Sequence, residues 1–225
     1  MKTAVLVGAT GGIASQLKKS LEENDYKIVS VSRTKGIICD LTDKKQIDEA
    51  LKEIRQEVEK IDLLINASGV ATYKNLINVF DEEMIDAYMI NVIAPAIFIR
   101  ELIPLMSHKN ALVVNIGSGA GTIPMKGRSI YCSTKYALRG LSLSLSEEYG
   151  GKYPEFSHIT LGSTLTDFGP LTLEEKQKQA GSGKAYFPIE FVIRKLMEII
   201  KSDEREPEVV LFPSEHGFGD WKKPE

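Results

Sequence analysis

Cysteine and histidine are scarce in this 225-residue chain, which has Cys39 and Cys132, and His108, His158 and His216. Neither type gathers with carboxylates at metal-ligand spacing, so no metal site is expected, and the two lone cysteines predict no disulfide. His108 falls in a polar turn and reads as solvated, and His158 lies at the opening of a strand. A dominant charge is missing as well. The net charge of −3 leaves no basic excess to favour nucleic acid or an anionic membrane surface. No apolar stretch reads as reaching the 18 or so residues that a bilayer span requires. The chain opens directly on an apolar run rather than a leader, so the expected compartment is the cytoplasm. What is present, 43% hydrophobic residues with mixed charge, suits a soluble globular protein forming one domain over 1–225.

The apolar pattern alternates between two periods. Strands are expected at about 2–7, 27–31, 36–39, 61–65, 111–116, 156–161 and 208–212, and helices at about 12–24, 43–59, 81–106, 129–150 and 188–202. Ile47, Leu51, Ile54, Val58 and Ile61 form a stripe at helical spacing, suited to packing on a sheet. Such alternation implies an α/β fold: a doubly wound parallel sheet of about seven strands, helices on both faces, ligands at the carboxyl edge.

Two clusters carry chemistry. The first strand runs straight into Gly8-Ala9-Thr10-Gly11-Gly12-Ile13-Ala14 and a helix. Glycines there let a pyrophosphate approach the backbone, and the helix N-terminus offers free N–H groups and partial positive charge. The second cluster is Tyr131-Cys132-Ser133-Thr134-Lys135, with Ser118 thirteen residues upstream of the tyrosine. Tyr131 and Lys135 share a helix face. A nearby ammonium favours the phenolate, lowering a tyrosine pKa from its ordinary value of about 10 towards neutrality. A tyrosine so tuned can exchange a proton with a substrate oxygen while Ser118 holds that oxygen. This is carbonyl/alcohol chemistry and calls for a hydride carrier.

Taken in order, these elements resemble the short-chain dehydrogenase/reductase family from Met1 to about Pro213. The family's glycine pattern falls on Val7-Gly8-x-x-x-Gly12-x-Ala14, its Asp-x-x-Asp element on Asp40-Leu41-Thr42-Asp43, and its Asn-Asn-Ala-Gly element on Asn66-Ala67-Ser68-Gly69. Val7 and Ala14 depart from the family's threonine and third glycine, and Leu161-Gly162 from its Pro-Gly. The resemblance implies a single-domain Rossmann-type fold and a catalytic set of Asn91, Ser118, Tyr131 and Lys135. In that set Asn91 serves a proton relay through water. It implies cofactor contacts from Gly8, Thr10, Gly11, Gly12, Ile13, Asp40, Leu41, Asn66, Ala67, Ser68, Gly69, Tyr131, Lys135, Thr164 and Thr166. It also implies a homodimer or homotetramer paired through helices 81–106 and 129–150.

Where an NAD-binding chain would carry an acidic residue after the second strand, Ser32 and Arg33 stand instead. A hydroxyl and a guanidinium suit a 2′-phosphate, which favours NADP(H) over NAD(H) as cofactor, with NAD(H) the alternative. The segment 162–188 reads as a substrate lid and 214–225 as a polar tail whose Phe218 and Trp221 pack on the core or on a neighbour. Within the lid, Glu174 to Gln179 reads as a solvated helix face. Arg128 reads equally as an anchor for an anionic substrate and as a surface charge. The expected activity is hydride transfer between NADP(H) and a small-molecule carbonyl or secondary alcohol. The alternative is an NAD(P)-binding sensor or partner protein with little turnover.

Overall fold

The computed structural model describes residues 1–221. Seven strands, β1 (Lys2–Val7), β2 (Tyr26–Ser32), β3 (Ile37–Ile38), β4 (Leu63–Asn66), β5 (Leu112–Ile116), β6 (Glu155–Leu161) and β7 (Glu208–Leu211), form one parallel sheet ordered β3-β2-β1-β4-β5-β6-β7. The helices are α1 (Gly12–Glu22), α2 (Lys44–Glu57), α3 (Asp81–Tyr88), α4 (Ala94–Leu102), α5 (Ser129–Glu148), α6 (Leu173–Gly181) and α7 (Ile189–Lys201). Strand side chains alternate between faces, so β1 sends Val5 and Val7 to one core and Ala4 and Leu6 to the other. The first core meets α2 and α4 through Ile47, Leu51, Ile54, Phe98 and Leu102; the second meets α1 and α7 through Leu17, Leu21, Val192 and Leu196. Apolar residues on both faces are why β1 and β5 read as continuous hydrophobic runs.

The chain reverses its strand order between β1 and β4. Loops leaving these two strands therefore diverge and open a crevice at their carboxyl ends. The short Ser32–Asp40 link carries no helix. Ser32 Oγ accepts from Lys35 N at 2.9 Å and donates to Lys35 O at 2.7 Å, turning the chain directly into β3.

The expected helix at 81–106 is instead α3 and α4 joined by a π-turn at Met89–Ile93. Pro95 supplies no N–H, which leaves the carbonyl four residues earlier, on Asn91, without its helical donor. The ladder widens, with Ala94 N–H bonding Met89 O, and Asn91 sits at the widened turn. The helical run Asp81–Leu105 is long and apolar enough, at mean hydropathy 1.5, to cross a membrane. That corrects the expectation of no such stretch. Part of its apolar surface is spent on the sheet, through Ile97, Phe98, Ile99 and Leu102, while Ile85 and Ile93 remain exposed, as do Leu76, Ile77 and Phe80 ahead of it. Helix α6 starts in a reciprocal cap: Glu175 N donates to Thr172 Oγ1 at 3.2 Å, and Thr172 N donates to Glu175 Oε2 at 2.8 Å.

Candidate active site

The crevice is a cleft of about 810 Å³ running from the β2–β3 link across β1 and β4 to the segment after β6. Its floor is set by Gly8 at φ +84°, where an added Cβ would lie 2.6 Å from Ser68 N. Only glycine permits the β1 and β4 loops to touch there. Ala67 N donates to Val7 O at 2.9 Å, so backbone ties the two loops at a place where Val7 has no hydroxyl. Helix α1 opens on Gly11 with no side-chain cap and no acidic residue in its first turn. Its first N–H groups are thus left for an anion, which fits the pyrophosphate of a dinucleotide. Gly12 packs under Thr166, whose Cγ2 would meet a Cβ there at 3.0 Å.

Gly8, Thr10, Gly11, Gly12, Ile13, Ser32, Arg33, Asp40, Leu41, Ala67, Ser68, Gly69, Thr164 and Thr166 line this cleft together with Ser118, Tyr131 and Lys135. Two expected site residues, the cofactor contact Asn66 and the relay residue Asn91, do not. Asn66 is buried below the loop, donating to Asn115 Oδ1 at 2.8 Å, so it braces β4 against β5. Asn91 is fully buried. It accepts from Val70 N at 2.8 Å and donates to Val70 O at 3.0 Å and Thr134 Oγ1 at 2.9 Å. It clamps the β4 loop to α5 at the turn above Lys135. Ser32 reaches the cleft, but its hydroxyl is committed to its own turn, which leaves Arg33, exposed beside Asp40, as the free polar group there. Asp40 itself accepts from Thr42 N at 2.9 Å and Thr42 Oγ1 at 2.8 Å, which holds its carboxyl below the usual range.

At the far end, Tyr131 and Lys135 lie on one side of α5 and are 4% and 3% exposed. Burial pushes the Tyr131 phenol well above its ordinary value, and the ionisable Tyr73 hydroxyl nearby adds to it. Ser118, within reach of the phenol, and Arg128 pull downwards without prevailing. The net shift is upwards, against the expectation of a lowered tyrosine. Lys135 Nζ passes the ring, 5.9 Å from its centroid, and donates to Ile116 O at 3.2 Å. Burial lowers Lys135 to about 8. The phenol is therefore a held proton at neutral pH, and the ammonium is the buried charge beneath it.

Residues that sequence spacing does not bring forward complete the site. Tyr73 and Phe168 flank the Tyr131 ring, with centroids at 5.4 and 6.0 Å. His158 is fully buried inside β6, with its Nδ1 3.2 Å from Ser142 Oγ. Gly117 has no side chain because a Cβ there would fall 2.2 Å from His158 Nε2. Burial lowers His158 to about 4, so it supports the Ser118 segment as a neutral ring. His108 is held to Ile61 O at 2.9 Å rather than solvated. Lys176, expected on a solvated face, is buried and donates to Thr166 O at 2.6 Å and Phe168 O at 2.5 Å. It latches α6 onto the segment that carries both. The tail folds back on the protein's own core. Phe218 packs on Phe187 and Phe191 at 5.6 and 4.9 Å, and Trp221 lines the cleft. Residues 222–225 of the expected tail lie outside the described residues. Among the described residues no group of His, Cys, Asp and Glu could hold a metal ion.

Comparison with known proteins places this geometry. A solved structure of 4-hydroxyisoleucine dehydrogenase complexed with NADH superposes with a TM-score of 0.83 at 20% identity, covering 95% of this chain and 98% of that one. The closed form of serine dehydrogenase complexed with NADP+ gives 0.82 at 20% identity, covering 95% of each. Among curated sequences, the 3-oxoacyl-[acyl-carrier-protein] reductase FabG of Haemophilus influenzae is 24% identical over 192 residues, 78% of this chain and 79% of that protein. Carbonyl reductase family member 4 of Xenopus tropicalis is 26% identical over 189 residues, 77% of this chain and 80% of that protein. The family model described as short chain dehydrogenase matches residues 32–177, well over half the chain and all the segments from the β2 end to the lid. The chain is thus a member of the short-chain dehydrogenase family, an oxidoreductase with an NAD(P)-binding fold.

Proposed function

We propose that this oxidoreductase interconverts a small carbonyl compound and its secondary alcohol, with NADP(H) preferred over NAD(H), as a cytoplasmic enzyme. The observation that carries the reading is the meeting of Ser118, Tyr131 and the buried Lys135 at the carboxyl edge of the sheet. A bound nicotinamide dinucleotide supplies or accepts the hydride; the protein's own groups manage the oxygen. In reduction Tyr131 gives its proton to the carbonyl oxygen, and its raised pKa keeps that proton in place until the oxygen becomes basic. Ser118 Oγ, which accepts from Ala120 N at 3.2 Å, keeps its own hydrogen for the same oxygen. Lys135 supplies positive charge under the phenol, which favours the phenolate form that serves as the base in oxidation. Asn91 orders the Gly69–Val70 turn next to Lys135 and, by family resemblance, holds the water that resupplies the proton.

The reading of an NADP(H) preference rests on Arg33, the exposed guanidinium at the β2 end of the cleft, the end at which this type of fold receives an adenosine ribose. Fluorescence titration of the protein with NADPH and with NADH tests it. Wild type is expected to bind NADPH about tenfold or more tightly, and Arg33→Ala to remove that advantage by weakening NADPH alone. Equal loss for both dinucleotides would assign Arg33 to the shared part of the cofactor and end the NADP(H) reading.

A homodimer or homotetramer is part of the same proposal. Ile77, Phe80 and Ile85 are 91, 69 and 61% exposed beside and along α3, and Tyr136 on α5 is 42% exposed. Ile77, Phe80 and Ile85 follow closely along the chain, and an exposed apolar segment of this kind favours burial against a partner.

A further inference from the structure

Building on the reading of the cleft as an oxidoreductase site, we infer that its substrate carries a carboxylate, received by Arg128 and Lys184 above Tyr131. The substrate end of the cleft holds two cations, and among the described residues neither forms an ion pair. The other basic side chains at this end of the cleft are accounted for: Lys135 beneath the phenol and Lys176 in its latch, with Arg33 at the opposite end. Arg128 is half-buried. Its guanidinium carbon stands 4.0 Å above the Tyr73 ring, and its Nη1 points at Met125 Sδ at 3.4 Å. Tyr73 in turn touches Tyr131 edge-on, so the stack guanidinium–Tyr73–Tyr131 leads from the cation to the reacting phenol. A guanidinium stacked on an aromatic face is fixed in plane, and its remaining N–H edge matches the two oxygens of a carboxylate.

Lys184 reaches the same space from the lid. Its Nζ donates to Gln179 Oε1 at 3.0 Å, and that oxygen also accepts from Tyr186 Oη at 2.7 Å. Burial, then the charge of Arg128, holds Lys184 below its ordinary pKa, as befits two like charges sharing one pocket. Bringing two cations together without an anion is unfavourable, and an anionic ligand between them removes the cost. Asp220 lies close by, because its backbone pairs with the Lys184 segment, yet its carboxylate pairs with neither cation. Phe168 and Trp221 add apolar surface to the same end of the cleft. The reaction is then an oxo acid plus NAD(P)H and a proton going to a hydroxy acid plus NAD(P)+. Hydride adds to the carbonyl carbon, and the Tyr131 proton goes to its oxygen and is restored from solvent.

Two measurements test this separately from the redox reading. Trp221 is the chain's one tryptophan and lines the cleft, so its fluorescence reports binding without turnover. Titration with succinate and with its dimethyl ester, in the presence of NADP+, is expected to show binding of the acid alone. Arg128→Met should weaken the acid on the order of 100-fold, and Arg128→Lys should recover part of that loss. In turnover, oxo acids should exceed their methyl esters in kcat/KM, with Arg128→Met and Lys184→Met lowering the acids and sparing the esters. Esters turned over as well as acids, or variants that lower both alike, would overturn the inference and leave the redox reading standing. Carboxylate binding at Arg128 with no turnover of any carbonyl compound would uphold the anion site and overturn the redox reading.

Discussion

At the cofactor end of the cleft Gly8, Ala67 and Arg33 each follow a strand directly, whereas at the substrate end Tyr73, Arg128, Phe168 and Lys184 arrive on four separate segments. The first end is held by backbone: β1 pairs with β2 and β4 in fixed register, and Gly8 lies against Ser68 N. The second is held by side chains: a ring stack on Tyr131, a lysine latch on two carbonyls, and a tail strapped to the lid through Asp220 N and Gly183 O at 2.8 Å. A site made of backbone binds what all members of a family share. A site made of side chains on loops can change its ligand without disturbing the sheet.

Substitutions at the two ends should therefore fail differently. The largest effect is expected where they meet. Tyr131→Phe removes the transferable proton and should lower kcat by about 10²–10⁴ while dinucleotide affinity stays nearly unchanged; retained turnover would give the proton to another group. Gly8→Ala should act on the cofactor end alone. A methyl at φ +84° against the Ser68 backbone demands that the loops part, so dinucleotide affinity should fall about tenfold or more, read by the same titration. Lys176→Met should act mainly on the substrate end. Freed carbonyls at Thr166 and Phe168 loosen the lid, and KM for the carbonyl compound is expected to rise roughly three- to tenfold with kcat less affected. A matching loss of thermal stability would make the latch a general brace instead.

The smallest effect concerns stability and pH, and it probes the sheet beneath both ends. His158 is lowered to about 4 by burial, so between its ordinary value near 6.5 and 4 the unfolded chain binds the extra proton and stability falls with falling pH. Glu208 adds to this below about 4.5. The Arg139 pair, with Nη2–Oε2 at 2.6 Å, first and the Thr160 hydroxyl next hold it near 2, and its contribution is lost as pH drops through that interval. Thermal unfolding of His158→Gln should lose the step between pH 6.5 and 4 and keep the one below it. An unchanged profile would remove His158 as the cause.

Much of this was legible beforehand because it depends on local chemistry. The strand and helix order, the glycine cradle and the Ser118, Tyr131 and Lys135 set follow from periods, turn residues and spacing along single elements. Helix α6 was missed: its run reads only as a solvated face, although Thr172-x-x-Glu175 forms a reciprocal cap at its start. The π-turn was only partly legible. Pro95 marks a break, but the wider ladder around Asn91 depends on Val70 and Thr134 holding its side chain, and these lie far off in the chain.

By itself, then, the sequence determined the α/β class, the carboxyl-edge cleft and the chemical type of the groups at its centre, since each rests on residues close together in the chain. Only the tertiary structure decided that Tyr131 holds its proton, that Lys135 reaches past it to Ile116, that Asn66 and Asn91 brace loops, and that Lys176 latches the lid. The physical reason is that pKa, desolvation and hydrogen-bond partnership belong to the space around a group, and that space is furnished by segments the local pattern does not connect.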